Sequence, residues 1–293
     1  MTFIHIKNYT FKKNLKILND LENQNLTIIL ENCTFEDSLC FNSIKNLTIL
    51  NPNFIKEQNI YIYRSELFDY NLNIKIDLIN SSGKLNLEIS SAEKIELISG
   101  SCLKTLSITS SDDVIIKDLN NVIIKDFLYI KNLKLINSNM SKFKPNRNCV
   151  STFKVFSLNH FQVTNQIHLE NSKLILPRDF EVKNEHNIIL KNSVIASDNT
   201  LIIHNINFIE FNDEDEESIL DNSSYIEAKE IIINNQLYQK NILTIKEKKE
   251  LTSTINYIKK NKKLENIPLE KRLILNYKKD DLYIKPKTKV RKK

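Results

Sequence analysis

The 293-residue sequence predicts an all-β solenoid, built as a parallel β-helix, and three observations carry that prediction. First, one phrase keeps returning, in which aliphatics alternate with other residues and end on a polar residue and an Asn. It reads Leu26-Thr-Ile28-Ile29-Leu30-Glu-Asn32, Leu47-Thr-Ile49-Leu50-Asn51 and Leu128-Tyr-Ile130-Lys-Asn132, then Ile167-His-Leu169-Glu-Asn171 and Ile188-Ile-Leu190-Lys-Asn192. Second, central aliphatics at Ile28, Ile49, Ile74, Leu97, Ile116, Leu135 and Val155 return roughly every 20 residues, a period typical of stacked repeats. Third, from Leu26 to about Tyr238 no second strong helical period is present. A unit this short buries its apolar face only by stacking on its neighbours.

The elements follow in order. Phe3-Ile4-His5-Ile6 reads as a strand. Thr10 can N-cap a helix in which Phe11, Leu15 and Leu18 fall at i, i+4 and i+7, widened by Ile17 and Leu21. Residues 1–25 are therefore expected to form an N-terminal cap, a strand plus an amphipathic helix covering the open end of the first coil. Residues 26–239 are expected to form the solenoid. Its segments include Leu85-Asn-Leu87-Glu-Ile89, Ile95-Glu-Leu97, Leu106-Ser-Ile108, Val114-Ile115-Ile116, Leu174-Ile175-Leu176 and Ile231-Ile232-Ile233, joined by links of Asn, Ser, Asp and Lys. A leucine-rich repeat is the competing solenoid, but it needs a helical segment opposite each strand, and the sequence offers several strands per period.

From residue 240 onward the composition changes. Thr244-Ile-Lys-Glu247 has the capping-box spacing, and Leu251, Ile255 and Ile258 continue as a helical stripe ending near Lys263. Residues 240–293 carry 18 Lys and Arg against 6 Asp and Glu, so 18 − 6 = +12. With +6 overall, the remainder is −6, so an acidic solenoid carries a basic helical extension with a tail expected to be disordered. The acidic run Asp213-Glu214-Asp215-Glu216-Glu217 reads as a loop between strands.

Composition excludes several classes. Two glycines cannot build a phosphate-cradling loop, and their scarcity argues against tight primed hairpins; Asn can supply left-handed corners instead. Cys33, Cys40, Cys102 and Cys149 have no C-x-x-C spacing and read as free thiols. No secretory signal pattern opens the sequence, and no run of about 18 apolar residues is present, so a cytoplasmic protein without a membrane span is the default expectation, with signal-independent export the alternative.

The run Ile4-His-Ile6, the Phe11–Leu21 segment and Leu26-Thr-Ile28-Ile29-Leu30-Glu-Asn32-Cys-Thr-Phe35 together resemble the opening of proteins of the pectate-lyase-like superfamily. Asn32, Asn171 and Asn192 look like that superfamily's Asn ladder. The likeness covers the pattern of residues 1–238, and no motif in it is specific to one member. It implies a single-stranded right-handed parallel β-helix, in a group that includes polysaccharide lyases, glycoside hydrolases, phage tail proteins and adhesins.

That resemblance selects the candidate chemistry. In β-helix glycosidases an Asp pair followed by aliphatics belongs to a carboxylate set that protonates the leaving oxygen and activates water, and Asp112-Asp113-Val114-Ile115 matches that element. The match is one element of four: the preceding coil offers Ser90-Ser91-Ala92-Glu93, no Gly-His-Gly is present, and the next His is His160. Lyase chemistry would need Ca²⁺ held by carboxylates beside a basic side chain. Asp118 and Asp126, with Asp112 or Asp113 and with Lys117 and Lys125, are the candidates. Ca²⁺ enters only under that alternative, and no other cofactor is expected. The competing reading is a solvated corner at Asp112 and Asp113 and an exterior ion-pair ladder of Lys and Asp. His168, His186 and His204 are spaced by 18, but they sit three, six and one positions before the corner Asn of their repeats, so a metal ladder is not expected. Lys259, Lys260, Lys262, Lys263, Lys271 and Arg272 are the candidate contacts to an anionic partner.

The expected role is non-enzymatic, a scaffold or binding surface for a protein or polysaccharide, with homo-oligomerisation open. A carbohydrate-active enzyme and a nucleic-acid or acidic-partner binder acting through residues 240–293 are the alternatives.

Overall fold

The computed structural model describes residues 2–13, 15–18, 26–42, 44–64, 72–120, 122–140, 161–176, 180–182, 187–211 and 224–260. The chain begins with β1 (Thr2–Lys7), β2 (Thr10–Phe11), β3 (Leu15–Leu18), β4 (Leu26–Glu31), β5 (Thr34–Phe35) and β6 (Leu39–Asn42). Next come β7 (Asn46–Leu50), β8 (Asn53–Tyr63), β9 (Asn73–Asp77), β10 (Ser82–Ser90), β11 (Lys94–Ile98), β12 (Leu103–Lys117) and β13 (Ile123–Ile136). They are followed by β14 (Asn139–Met140), β15 (Phe161–Glu170), β16 (Lys173–Leu176), β17 (Phe180–Val182), β18 (Asn187–Lys191) and β19 (Val194–Ile203). A 3₁₀ turn at Ile206–Phe208, β20 (Ile209–Phe211), β21 (Tyr225–Ile233), β22 (Gln236–Tyr238), β23 (Ile242–Thr244) and α1 (Ile245–Lys260) complete the described chain.

The protein is all-β, with parallel strands in two curled sheets, an arrangement compatible with a β-helix. Its main ladder runs β1–β4–β7–β9–β11 and continues through the C-terminal halves of β12, β13 and β15 to β18 and β20. Each strand of this ladder is one rung, about 4.8 Å from the next. Parallel neighbours cannot be joined by a hairpin, so the chain must cross elsewhere between rungs. Here the crossings are themselves strands, such as β2 and β3 between β1 and β4, which pair in parallel with β5 and β6.

Alternation then does the sorting. Ile28, Leu47, Ile74, Ile95, Val114, Leu133, Ile167 and Ile188 stack in one inward column, and Leu30, Ile49, Ile76, Leu97, Ile116, Leu135, Leu169 and Leu190 in the next. All sixteen are at most 2% exposed, and each contributes roughly 1.5–3 kcal/mol by leaving water. Ile49, Leu97, Ile116 and Leu135 share a column, whereas Ile28 and Ile74 belong to the one two residues earlier. Part of the sequence drift was therefore a shift between columns of the same face. Val155 lies outside the described residues, and the rung after Leu135 is supplied by Leu169.

Six main-ladder rungs turn at an Asn in the left-handed region, at Asn8, Asn32, Asn51, Asn137, Asn171 and Asn192, with φ between 44° and 53°. Asn tolerates this region because its short side chain bonds locally. The corner N–H groups continue the ladder, Asn32 to the Leu50 carbonyl at 2.9 Å and Asn171 to that of Lys191 at 2.9 Å. The side chains stack as well: the Asn51 amide donates to Asn32 Oδ1 at 3.3 Å and the Asn192 amide to Asn171 Oδ1 at 2.9 Å. Asn132 is a correction, because it lies within β13 on an outward column, and Asn137 holds that corner. Immediately past the corners runs a buried serine spine. Ser138, Ser172 and Ser193 N–H groups donate to the Oγ of Ser172, Ser193 and Ser224 at 2.9, 3.0 and 3.0 Å, and the first three hydroxyls donate back to carbonyls two residues earlier.

The N-terminal helix is a second correction. Thr10–Phe11 and Leu15–Leu18 are strands, and residues 19–25 lie outside the described residues. Phe11, Leu15 and Leu18 satisfy a helical period, but two short strands with a break between them place the same residues. Tertiary pairing decides, since Phe11 stacks on Phe35 with ring centroids 5.2 Å apart and planes 4° from parallel. Glycine scarcity argued against primed hairpins, yet β21 and β22 form one, with Asn234 and Asn235 at φ 50° and 63° in place of glycine.

At the C-terminal end the antiparallel strands β22 and β23 pair with β21, and α1 packs against β23 and the 3₁₀ turn that precedes β20. The 240 boundary thus falls just before a strand that belongs to the second sheet. α1 is described as far as Lys260, so the expected end near Lys263 lies outside the described residues, and the Glu247 half of its capping box is in place: Glu247 accepts from the Thr244 N–H at 2.8 Å and from the Thr244 hydroxyl at 2.6 Å, and from Lys240 at 2.8 Å. Burial by itself raises the Glu247 carboxyl, but the hydrogen bonds from Lys240 and Thr244 outweigh it and hold the group below its usual range. A carboxyl depressed on folding stabilises the fold above its unfolded value near 4.5 and loses that contribution as pH falls through the folded value. Glu247→Gln is therefore expected to lower stability by about 1 kcal/mol at pH 7. In urea titrations the gap from the parent should close in acid; a pH-independent gap would contradict this.

Candidate functional site

Outward columns of the main ladder form the wall on which most candidate residues stand. One column reads Thr27, Asn46, Asn73, Lys94, Asp113, Asn132 and Gln166. It is a polar ladder: the Asn46 amide donates to Thr27 Oγ1 at 3.0 Å, that of Asn132 to Asp113 Oδ1 at 2.6 Å and that of Asn165 to Asn132 Oδ1 at 2.6 Å. Asp113 is thus placed outward on β12 as the acceptor that starts an amide ladder. Asp112 is exposed beside it, with its N–H bonded to the Ala92 carbonyl.

The other carboxylates stand elsewhere. Asp118 replaces Asn at a corner, with φ 57° and its N–H on the Ile136 carbonyl at 3.0 Å. Asp126 lies on the N-terminal half of β13, which pairs with the N-terminal half of β12 on another face, and accepts from Ser107 at 3.3 Å. Lys125 falls at the bulge between Ile124 and Asp126 in that pairing. Lys117 points outward at the end of β12, in register with Ile98 and Ile136. Asp112, Asp113, Asp118 and Asp126 are therefore distributed over a strand face, a corner and a second face, and do not come together into one groove. Among the described residues no group of three or more His, Cys, Asp and Glu is arranged to hold a metal ion.

What does come together is a patch that sequence reasoning missed. On four successive rungs Lys75, Glu96, Ile98, Ile115, Lys117, Lys134 and Ile136 line a shallow concavity of about 290 Å³. The isoleucines are half-buried and form its floor, with the lysine chains at its rim. Glu96 is held below the usual carboxylate range, first by its 2.8 Å bond from Lys94 and further by the nearby charges of Lys75 and Lys117. Lys134 pairs loosely with Glu170 at 3.6 Å. Three lysines and Glu96 line the patch over an apolar base, with Asp77 and Glu170 flanking it in the same outward column, so the lysine ends are the contacts it offers to an acidic, partly apolar ligand surface. The signal was present as alternating Ile and Lys, but the rung register that collects them is set by crossings of unequal length.

His168 stands outward on β15 in register with Lys134 and Ile189. Burial, then the Lys134 and Lys191 charges, lower its pKa, so it favours the neutral form. His204 follows β19 in the other sheet and bonds Glu181, so these two histidines do not share a ladder; His186 lies outside the described residues. Cys33, Cys40 and Cys102 are free thiols, and burial pushes Cys102 up to about 11, far from a reactive thiolate. Cys149 and the acidic run 213–217 lie outside the described residues, as do Lys262, Lys263, Lys271 and Arg272; of Lys259 and Lys260 only the helical backbone is described.

A second concavity, about 580 Å³, lies between α1 and β20 and is lined by Glu210, Phe211, Ile245, Lys248, Lys249, Thr252 and Ser253. Lys248 donates to the Ile209 carbonyl, and burial lowers its pKa despite the neighbouring Glu210. No helix among the described residues is long and apolar enough to cross a membrane. Comparisons of the chain with family models, with curated proteins and with solved structures each returned no match.

Proposed function

We propose that the chain is a single right-handed parallel β-helix that serves as a non-enzymatic scaffold, presenting its outer wall to a protein or polysaccharide partner. The observation that carries this reading is the wall around Lys75, Ile98, Ile115, Lys117 and Lys134, where half-buried isoleucines and lysines repeat on rungs about 4.8 Å apart. Such a surface offers regularly spaced contacts to an extended acidic partner without assembling the paired carboxylates that glycoside cleavage requires. A glycan array with and without Ca²⁺ tests the polysaccharide branch. Acidic glycans are expected to bind without being cleaved, and Lys117→Glu/Lys134→Glu is expected to weaken binding at least about tenfold. Ca²⁺-dependent release of chain ends would instead establish the lyase alternative.

The +12 charge of residues 240–293 favours a second reading, capture of a nucleic acid or another polyanion by that segment. Its mark would be a steep loss of affinity with salt that disappears when residues 261–293 are removed. Equal binding by the truncated chain would remove this reading.

A further inference from the structure

We propose that the free edge of β1 is a docking site for an extended, acidic strand of a partner protein. β1 pairs with β4 along one edge, and among the described residues no strand pairs with the other. The rung is also open from above. Ile4 is 37% exposed, whereas Ile28, directly beneath it in the same inward column, is 0% exposed. Phe3 and Tyr9 are 58% and 56% exposed, and Ile6 and Phe11 are only partly covered. At the opposite end the chain covers itself with β22, β23 and α1. An unpaired edge over an exposed apolar core is a template for strand addition, where backbone bonds supply affinity and alternate side chains supply specificity.

Charge selects the occupant. Residues 1–18 contain Lys7, Lys12, Lys13 and Lys16 and no Asp or Glu, a net +4. Lys7 is paired with Glu31 at 2.8 Å, while Lys12, Lys13 and Lys16 are exposed around the rim. A second copy offering the same end would set +4 against +4, and like charges facing each other across strands are destabilising. An incoming strand that alternates aliphatic and acidic residues covers Ile4 and Ile6 with one set and lays the other over Phe3, His5 and Lys7, in the field of the three exposed lysines farther along the same coil.

Backbone polarity fixes which donors it would take. The Asn8 N–H bonds the Glu31 carbonyl, so along β1 the even-numbered N–H groups face β4 and those of Phe3, His5 and Lys7 face the free edge. This deepens the scaffold reading by naming a partner chemistry, at the end of the ladder and away from the lysine and isoleucine wall.

The test uses the full chain and two labelled eight-residue peptides, one alternating Glu with Ile and one alternating Lys with Ile, followed by fluorescence anisotropy. The Glu–Ile peptide is expected to bind saturably, at least about tenfold tighter than the Lys–Ile peptide. Phe3→Pro removes one free-edge donor without touching a bond to β4, and is expected to weaken binding about tenfold. Lys12→Glu/Lys13→Glu alters only exposed side chains and is expected to do the same. The wall variant Lys117→Glu/Lys134→Glu should bind the peptide like the parent, so this inference and the wall reading fail separately. Equal affinity for both peptides, or unchanged affinity in both edge variants, would overturn the proposal. So would a doubled mass by light scattering with no peptide bound, which would assign the edge to a second copy.

Discussion

Gly83→Ala and Gly100→Ala are each expected to destabilise the protein by about 3 kcal/mol or more, an effect far above that of an ordinary surface change. The sequence contains two glycines in all, and both sit where a neighbouring backbone approaches most closely. A Cβ on Gly83 would lie 2.0 Å from the Phe54 carbonyl oxygen, and one on Gly100 would lie 1.9 Å from that of Leu78. Neither obstacle is a flexible side-chain end, so relief requires moving a rung. Gly83 also has φ +91°, which an L side chain rarely adopts, so it carries a conformational cost that Gly100 does not. Urea unfolding of both variants beside Lys84→Ala, an exposed neighbour expected to stay within about 0.5 kcal/mol, checks the argument. Near-parent stability of Gly100→Ala would show that the rungs are spaced more widely there.

Phe35→Ala is the second large effect, expected at about 3–5 kcal/mol. Phe35 is fully buried and is the middle ring of a column, stacked on Phe11 at 5.2 Å and on Phe54 at 5.8 Å. Gly83 stands over Phe54, so the column ends where a side chain is absent. Removing the central ring leaves a cavity that the flanking rings cannot close without leaving their own rungs. Because each rung touches chiefly its neighbours, the damage should stay local. Amide exchange is expected to accelerate in β1 to β6 while β18 to β21 keep their protection. Uniform acceleration across the chain would instead indicate one globally cooperative core.

Much of the fold was legible because two local rules coincide in it. Alternation needs only neighbouring residues, and it marked both inward columns from Ile28 to Leu190. The left-handed corner favours Asn, which marked Asn32, Asn51, Asn171 and Asn192. Features that depend on distant pairing were not legible. Phe11 to Leu18 fits a helical period, and only the partner strands β5 and β6 resolve it into two strands. Asn132 carries the same phrase as the corners, but its place opposite Asp113 makes it a ladder amide. The serine spine was visible as Asn-Ser at 137–138, 171–172 and 192–193, yet its meaning requires knowing that these pairs stack. At the wall, the candidate carboxylates were chosen by family likeness along the sequence, whereas the lysine and isoleucine patch is collected from rungs about 20 residues apart. Crossings of unequal length, such as the 34 residues from Asn137 to Asn171, conceal that register from any fixed period.

Whether the rungs stack along one axis is read most directly by pulsed electron spin resonance between nitroxide pairs on one outward column. Lys7, Lys117 and Lys191 occupy that column, with Lys117 five rungs and Lys191 eight rungs from Lys7. At about 4.8 Å per rung, labels at Lys7 and Lys117 should be roughly 24 Å apart, and labels at Lys7 and Lys191 roughly 38 Å. Distances that grow in this proportion to rung number bear out a single linear solenoid. A Lys7 to Lys191 distance no longer than that from Lys7 to Lys117 would mean that the sheet folds back on itself, and would contradict it.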